Sequence, residues 1–439
     1  MPVTAVILAA GIGSRMKSAL PKALHPIAGR PMLRHLLATC EAVFDRIVVV
    51  VGPGMEAVAR AAAPHPSVVQ AERLGTAHAA RQAEAEFGDG EVAVLYADNP
   101  LVRADTIRRL LDRRARGDAA LALLASHRAD PARYGRVLAR EGFVERVVEH
   151  ADATEAERAI TLCNGGVLCA AAADMRRWLG AVRAENAQGE FYLPDIVALA
   201  RDEGARVAAV EAPEAELAGI NSRAELAAAE ATVQGWLRAA AFEAGVTMTD
   251  PGSVFLSADT ELASDVTIGP SVVLGPGVRI GRGAEIRAFS HLEGCVVGEG
   301  CIVGPFARIR PGTVLGRGAH VGNFVELKAA ALGDGAKANH LAYLGDTEVG
   351  SGSNIGAGTI TCNYDGFAKH RTRIGANAFI GSDTALVAPV SVGDGAMIGA
   401  GSVITRDVGA DALAIARGQQ VEKPGGAAAF RARHGRKET

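Results

Sequence analysis

Residues 268–304 read IGPSVVLGPGVRIGRGAEIRAFSHLEGCVVGEGCIVG, and an aliphatic side chain returns in them at every sixth position until one unit is a residue short. The series runs Ile268, Leu274, Ile280, Ile286 and Leu292, then Val297, Val303, Ile309, Leu315, Val321 and Leu327. Two further skips carry it through Leu332, Ala338, Leu344, Val349 and Ile355. After an interruption it resumes at Ile374, Ile380, Leu386, Val392, Ile398 and Ile404. Of these 22 positions only Ala338 is not Ile, Leu or Val, and glycine follows 15 of them. Such a period specifies a solenoid, because no unit can bury its aliphatic residue alone and each does so by stacking on the next.

Working outward, 439 residues exceed what one hydrophobic core serves, so two or more domains are expected. A composition 49% hydrophobic and 22% charged describes a globular chain. The net charge of −3 leaves no basic footprint and argues against a nucleic-acid partner. No apolar run approaches the roughly 20 residues that span a bilayer, so no membrane insertion is expected. Residues 1–10 lack a basic region and run straight into a strand pattern, unlike a signal peptide. Cys40, Cys163, Cys169, Cys295, Cys301 and Cys362 form no CxxC pair, and a reducing cytoplasm is the natural compartment.

The first half has a different rhythm. Short aliphatic runs at 3–9, 46–51 and 92–96 alternate with helical patterns at 32–41 and 77–86. That alternation predicts an α/β domain, Rossmann-like with a mixed, mostly parallel sheet, over residues 1–221. Ligands of such sheets sit beyond the carboxyl ends of the strands. Ser222 and Glu225 form a capping box at the head of a helical linker over 222–245 that Gly245 stops. About 22 residues at a 1.5 Å rise give an arm of roughly 33 Å. The solenoid domain, with the tail, is 246–439. From Pro424 the tail (PGGAAAFRARHGRKET) is Gly/Ala-rich, basic and aperiodic, and is expected to be disordered.

Two constellations carry chemistry. The first strand opens into LAAGIGSRM with Arg15, and Lys22 follows in LPKALH. Glycines let backbone N–H groups approach an anion while Arg and Lys neutralise phosphate; a structural tight turn is the alternative. The run 92–96 ends in ADNP, placing Asp98 where a lone carboxylate coordinates Mg²⁺, or where Asp-Asn-Pro merely turns. In the solenoid the repeat points to chemistry by failing. Arg310 follows Ile309, Lys328 follows Leu327, and Ala338 is followed by Asn339 and His340. The insertion TCNYDGFAKHRTR (361–373) is a loop that closes on a ligand or is surface decoration.

LAAGIGSRM, LPKALH, QAERLGTAHA, YADNP, YGRV, VVEH, CNGGV, GEFYLPDI and GINSR resemble, in order and spacing, the sugar-nucleotide pyrophosphorylases. With RPG, VGNFVELK, HLAYLGD and NIGAGTITCNYDG, all but about the last fifteen residues resemble one family. It is the bacterial bifunctional N-acetylglucosamine-1-phosphate uridyltransferase/glucosamine-1-phosphate N-acetyltransferases.

The resemblance implies that Ala10, Gly11, Gln70, Gly75 and Thr76 hold the uridine of UTP. Arg15 and Lys22 would act on the triphosphate, and Asp98 with Asn221 would hold Mg²⁺. Gly135, Glu149 and Asn164 would contact N-acetylglucosamine-1-phosphate. In the second half it implies a left-handed parallel β-helix of hexapeptide repeats, assembled as a homotrimer. His340 would be the general base that takes a proton from glucosamine-1-phosphate, with Glu326 orienting it. Arg310, Lys328, Tyr343, Asn354, Asn363, Tyr364 and Lys369 would bind that substrate, and Ala357, Ser382, Ala400 and Arg417 would meet acetyl-CoA. The family usually has Gly at Ala97, an aliphatic residue or Met at Asn99, Gln at Arg73, Gly at Ala77 and Thr at Gly165. These departures leave an acetyltransferase-only chain as the alternative. A non-catalytic assembly protein of like architecture is opposed by the joint retention of Lys22, Asp98, Asn221 and His340.

Overall fold

The computed structural model describes residues 2–435. It divides into two compact units, one up to residue 237 and one from 238 on.

The first unit is built on a nine-stranded sheet. In spatial order its strands are Ser67–Val69, Arg46–Val51, Val3–Leu8, Glu91–Tyr96, Leu162–Ala171, Leu121–His127, Val207–Glu211, Phe143–Val148 and Arg136–Arg140. The first four are parallel. Leu162–Ala171 runs antiparallel to both its neighbours, and Val207–Glu211 returns parallel to Leu121–His127. The sheet is therefore mixed and mostly parallel in its core, as the strand–helix alternation predicts. Alternate side chains serve opposite faces. Ala5 and Ile7 join the layer that holds Leu33, Leu36, Val58 and Ile107, while Val6 and Leu8 join the layer with Ala80, Met175 and Trp178. Burial on both faces explains why the run RIVVVV is continuous and not alternating.

The second unit is a β-helix, left-handed as expected, whose three faces are parallel sheets of ten, nine and eight strands. Each coil gives one strand to each sheet. On one face Glu285, Ile302, His320 and Lys337 pair in succession, 17, 18 and 17 residues apart, so three six-residue units make a coil. All 22 aliphatic positions of the repeat are at most 4% exposed. The glycine after them is a matter of space. A Cβ on Gly356 would lie 2.5 Å from the Ser382 nitrogen of the next coil. The stack is longer than the repeat suggests at both ends. Thr247–Met248 already pairs with Thr267–Ile268, and Leu413–Ala414 closes the same sheet. The interruption also starts one unit later, because Thr361 pairs with Leu386 and is itself buried. Its hydroxyl accepts from the Gly345 N–H at 2.8 Å, so a polar side chain fills an aliphatic position with its hydrogen bonds met.

The linker helix is Arg223–Glu243. Ser222 caps it, the Glu225 N–H donating to Ser222 Oγ at 3.2 Å, but the Glu225 carboxylate accepts from the Asn221 N–H at 2.7 Å, one residue before the cap that the expected box would use. Gly245 ends it with φ +84°. The division between the units falls within it, and in its last turns Arg238 Nε donates to the Val254 carbonyl at 2.9 Å. The tail differs from expectation too. Gly426–His434 is an exposed helix, favoured by its alanines and by Phe430 and His434 one turn apart with ring centroids at 4.6 Å. Tail residues 436–439 lie outside the described residues. Among the described residues no helix is long and apolar enough to cross a membrane.

Candidate active sites

At the carboxyl ends of Val3–Leu8 and Glu91–Tyr96, the chain turns twice and encloses a cleft of about 270 Å³. Ala10, Gly11, Gln70, Gly75, Thr76 and Asp98 all line it. Two glycines shape its walls. Gly13 has φ +70°, and a Cβ there would sit 2.7 Å from the Lys22 Cβ, so glycine lets the lysine pack against the turn. Gly75 has φ +116° and meets the Phe191 backbone at 2.5 Å from where a Cβ would stand. Thr76 Oγ1 accepts from the Leu193 N–H at 2.9 Å, and Gln70 Nε2 donates to the Gly75 carbonyl at 3.1 Å.

The charged groups converge. The Ile220 N–H donates to the Asp98 carbonyl at 2.9 Å, which brings Asn221 beside Asp98. Lys22 Nζ contacts the Asp98 carboxylate and donates to Asn221 Oδ1 at 3.0 Å, where Arg15 Nη2 also donates at 3.0 Å. One carboxylate and one amide oxygen thus face the same point. That donor set fits Mg²⁺, which takes one or two protein oxygens and fills the rest with water and phosphate.

Next to this cluster Gly135, Glu149 and Asn164 come together. The Asn164 N–H donates to the Gly135 carbonyl at 2.8 Å, and a Cβ on Gly135 would lie 3.1 Å from Glu149 Oε1. Burial first, then the Asp195 and Asp152 charges, push the Glu149 carboxyl up to about 6. Burial and Asp152 raise Asp195 likewise to about 6. No motif singled out Asp195, although it sits within the quoted string GEFYLPDI.

The departures from the family pattern have structural partners. Asn99 Nδ2 donates to the Gly165 carbonyl at 2.9 Å. Arg73, which itself lines the cleft, donates Nε–H to the Ala10 carbonyl at 2.9 Å and so braces the glycine turn. Ala97 and Ala77 are buried.

On the solenoid, His340 follows the inward Ala338 and precedes Leu341, whose φ is +47°. The same left-handed corner recurs at Phe324, Gly358, Asp383 and Gly401. Asn323, His340, Ala357, Ser382 and Ala400 each stand just before it, so they form one column along a corner. Arg417 ends that column, Nη1 donating to the Ala400 carbonyl at 2.7 Å. A backbone corner finished by a guanidinium has the donor chemistry that a long phosphate-bearing thioester such as CoA requires.

Around the corner, Arg310, Lys328 and Tyr343 share one face, where Glu326 pairs with Tyr343 and Lys328 with Gly345. Lys369, from the insertion, meets Lys328 and holds that ammonium below the ordinary lysine range. Asn363 Nδ2 donates to Asp346 Oδ2 at 2.6 Å, and Tyr364 pairs with Lys369 across the loop. Asp365 knots the loop by accepting from Ala368, Phe367 and His370. Asn354 is not brought to this set: it lies on the face with Lys337 and Phe379. Nor does Glu326 reach His340, being bound to Arg310 Nη1 at 2.8 Å. The group on the imidazole is Asn323, whose Oδ1 lies 2.9 Å from Nδ1. Sequence reasoning missed it, though 17 residues is one coil and the spacing alone places Asn323 next to His340 in the stack.

A nucleotide-handling cleft joined to a hexapeptide solenoid with a histidine corner defines a two-headed transferase. Residues 5–193 match the model of the MobA-like NTP transferase domain. Residues 259–294, 294–329 and 371–406 match that of the bacterial transferase hexapeptide. The chain is 67% identical over 434 residues to a bifunctional protein GlmU of Acidiphilium cryptum, covering 99% of both chains. It is 65% identical to the Gluconacetobacter diazotrophicus protein of that name, covering 100% of this chain and 96% of the relative. The one from Paramagnetospirillum magneticum is 53% identical over 99% and 97%. The chain belongs to the family of bifunctional GlmU proteins, enzymes that unite a nucleotidyltransferase and a hexapeptide-repeat transferase.

Proposed function

We propose that this chain makes UDP-N-acetylglucosamine in two steps, supplying a precursor of peptidoglycan and lipopolysaccharide. The second unit transfers the acetyl group of acetyl-CoA to the amine of glucosamine-1-phosphate. The first joins the resulting N-acetylglucosamine-1-phosphate to UTP and releases pyrophosphate.

In the first unit Ala10, Gly11, Gln70, Gly75 and Thr76 seat the uridine, and Gly135, Glu149 and Asn164 orient the sugar. A phosphate oxygen of the sugar phosphate attacks the α-phosphorus as the bond to the pyrophosphate leaving group breaks. Lys22 and Arg15 offset the charge that builds there. Asp98 and Asn221 hold the Mg²⁺, which when bound adds further charge neutralisation.

In the second unit His340 accepts the amine proton as the nitrogen bonds to the thioester carbonyl carbon and the thiolate of CoA departs. Arg310, Lys328 and Lys369 hold the sugar phosphate, with Tyr343, Asn354, Asn363 and Tyr364 around the sugar. Ala357, Ser382, Ala400 and Arg417 line the path of CoA.

A homotrimer suits this reading in two ways. The residues assigned to the sugar phosphate divide between two faces of one solenoid, so a site between copies can use both. Phe289, Phe306 and Phe324 also form an exposed stack, with centroids 4.9 and 5.2 Å apart, of the kind that oligomers cover. A reducing cytoplasm suits six free cysteines, five of them buried.

The observation that carries the proposal is the meeting of Lys22, Arg15, Asp98 and Asn221 at the strand ends, on a chain that also keeps His340 at the solenoid corner. Two product assays on the intact chain test it, pyrophosphate release and thiol release. Asp98→Ala is to abolish only the first and His340→Ala only the second. Pyrophosphate release absent from the wild-type chain would refute the two-step reading.

A further inference from the structure

His340 is held by the coil beneath it. The strands His320–Asn323 and Lys337–His340 are four residues long, the longest in the described solenoid, and Asn323 is the register partner of His340. The Leu341 N–H donates to the Asn323 carbonyl at 3.1 Å, while Asn323 Oδ1 lies 2.9 Å from His340 Nδ1. Gly322 permits this closeness, because a Cβ there would overlap the Asn339 carbonyl. An amide oxygen can only accept, so Nδ1 carries the ring proton and Nε2 is left with the lone pair.

We propose that Asn323 is the positioning residue of the acetyl-transfer base: it fixes the His340 tautomer and aims Nε2 at the amine. This rests on the reading of His340 as general base. Asn323 is neutral, so it orients the ring without stabilising the imidazolium as a carboxylate does. Glu326, the nearby carboxylate, is kept from this duty by its ion pair with Arg310.

His320 and the Arg287–Glu285 pair lie on the coils beneath, and Lys337 stands on the ring's own strand. The coil above sets neutral Asn354 beside Lys337. None of them changes when Asn323 is replaced.

The test is the pH–rate profile of acetyl transfer in the full chain, with thermal melting as the check on folding. Asn323→Asp, isosteric and charged, is expected to move the acid limb of kcat up by about one pH unit. Asn323→Leu is expected to lower kcat roughly tenfold or more, with KM for glucosamine-1-phosphate changed by less than about threefold. An unmoved acid limb in a folded Asn323→Asp overturns the proposal whatever Asn323→Leu does. His340→Ala separates the two ideas: if it keeps acetyl transfer the base assignment itself fails, and if it loses transfer while the acid limb stays fixed, only the role of Asn323 fails.

Discussion

Asn99 and Gly165 are one contact: the buried amide of Asn99 donates to the Gly165 carbonyl at 2.9 Å. A Cβ on Gly165 would lie 2.5 Å from Leu217 Cδ1 and 2.9 Å from the Leu124 carbonyl. Gly165→Thr in this chain should therefore cost about 2 kcal/mol of stability. Combined with Asn99→Met, the change should be non-additive by roughly 0.5–1 kcal/mol, because the two sites share a bond. Urea unfolding of the four chains of the cycle measures this, and strict additivity would show the two positions to be independent.

Gly13 holds a left-handed turn against Lys22. Gly13→Ala imposes about 1–2 kcal/mol of backbone strain and pushes the lysine from Asp98 and Asn221. Uridylyl transfer should fall by about two orders of magnitude, a loss like that of one misplaced cation at a phosphoryl transition state. Acetyl transfer by the same preparation should keep its wild-type rate, so parallel product assays decide the matter.

The pH dependence of stability follows from Asp195. Its carboxyl is raised from 3.8 to about 6 in the fold, first by burial and then by Asp152. The folded chain keeps a proton that the unfolded chain releases, so this group's contribution is full below pH about 4 and is lost as pH rises through about 6. Asp195→Asn should thus raise the melting temperature at pH 8 and leave it unchanged at pH 4. The gain should be worth about 1 kcal/mol, since the group is only partly buried. An equal gain at both pH values would contradict an electrostatic origin.

Phe306 lies between Phe289 and Phe324 in the exposed stack. Phe306→Asp puts a charge in the middle of that line and should convert the proposed trimer to monomers at micromolar concentration, read by sedimentation velocity. Melting of the solenoid itself should change little, because the ring faces away from the aliphatic core.

Legibility tracks physical cause. The aliphatic period could be read as a solenoid because every coil repeats one burial problem, and all its positions proved buried. Thr361 escaped notice because it solves the same problem with hydrogen bonds, and no hydropathy pattern can show that. In the first unit the strands 46–51 and the helix 32–41 were plain from apolar runs and spacing. The meeting of Lys22, Asp98 and Asn221, up to 199 residues apart, needed the sheet to bring them together or a resemblance to stand in for it. Asn323 failed to register for the opposite reason. It breaks no rule of the repeat, and its importance lies wholly in what stands above it.

The insertion after Thr361 leaves the stack unaltered. Asn354 and Ile355 pair with Phe379 and Ile380, 25 residues on, as cleanly as Lys337 and Ala338 pair with them at 17. The loop is extruded as a hem from a spindle whose winding never notices it. As far as the scaffold is concerned its length is accordingly a free variable, whatever Asn363, Tyr364 and Lys369 within it are asked to bind. Trimming or lengthening one hem leaves the thread count of the scaffold the same.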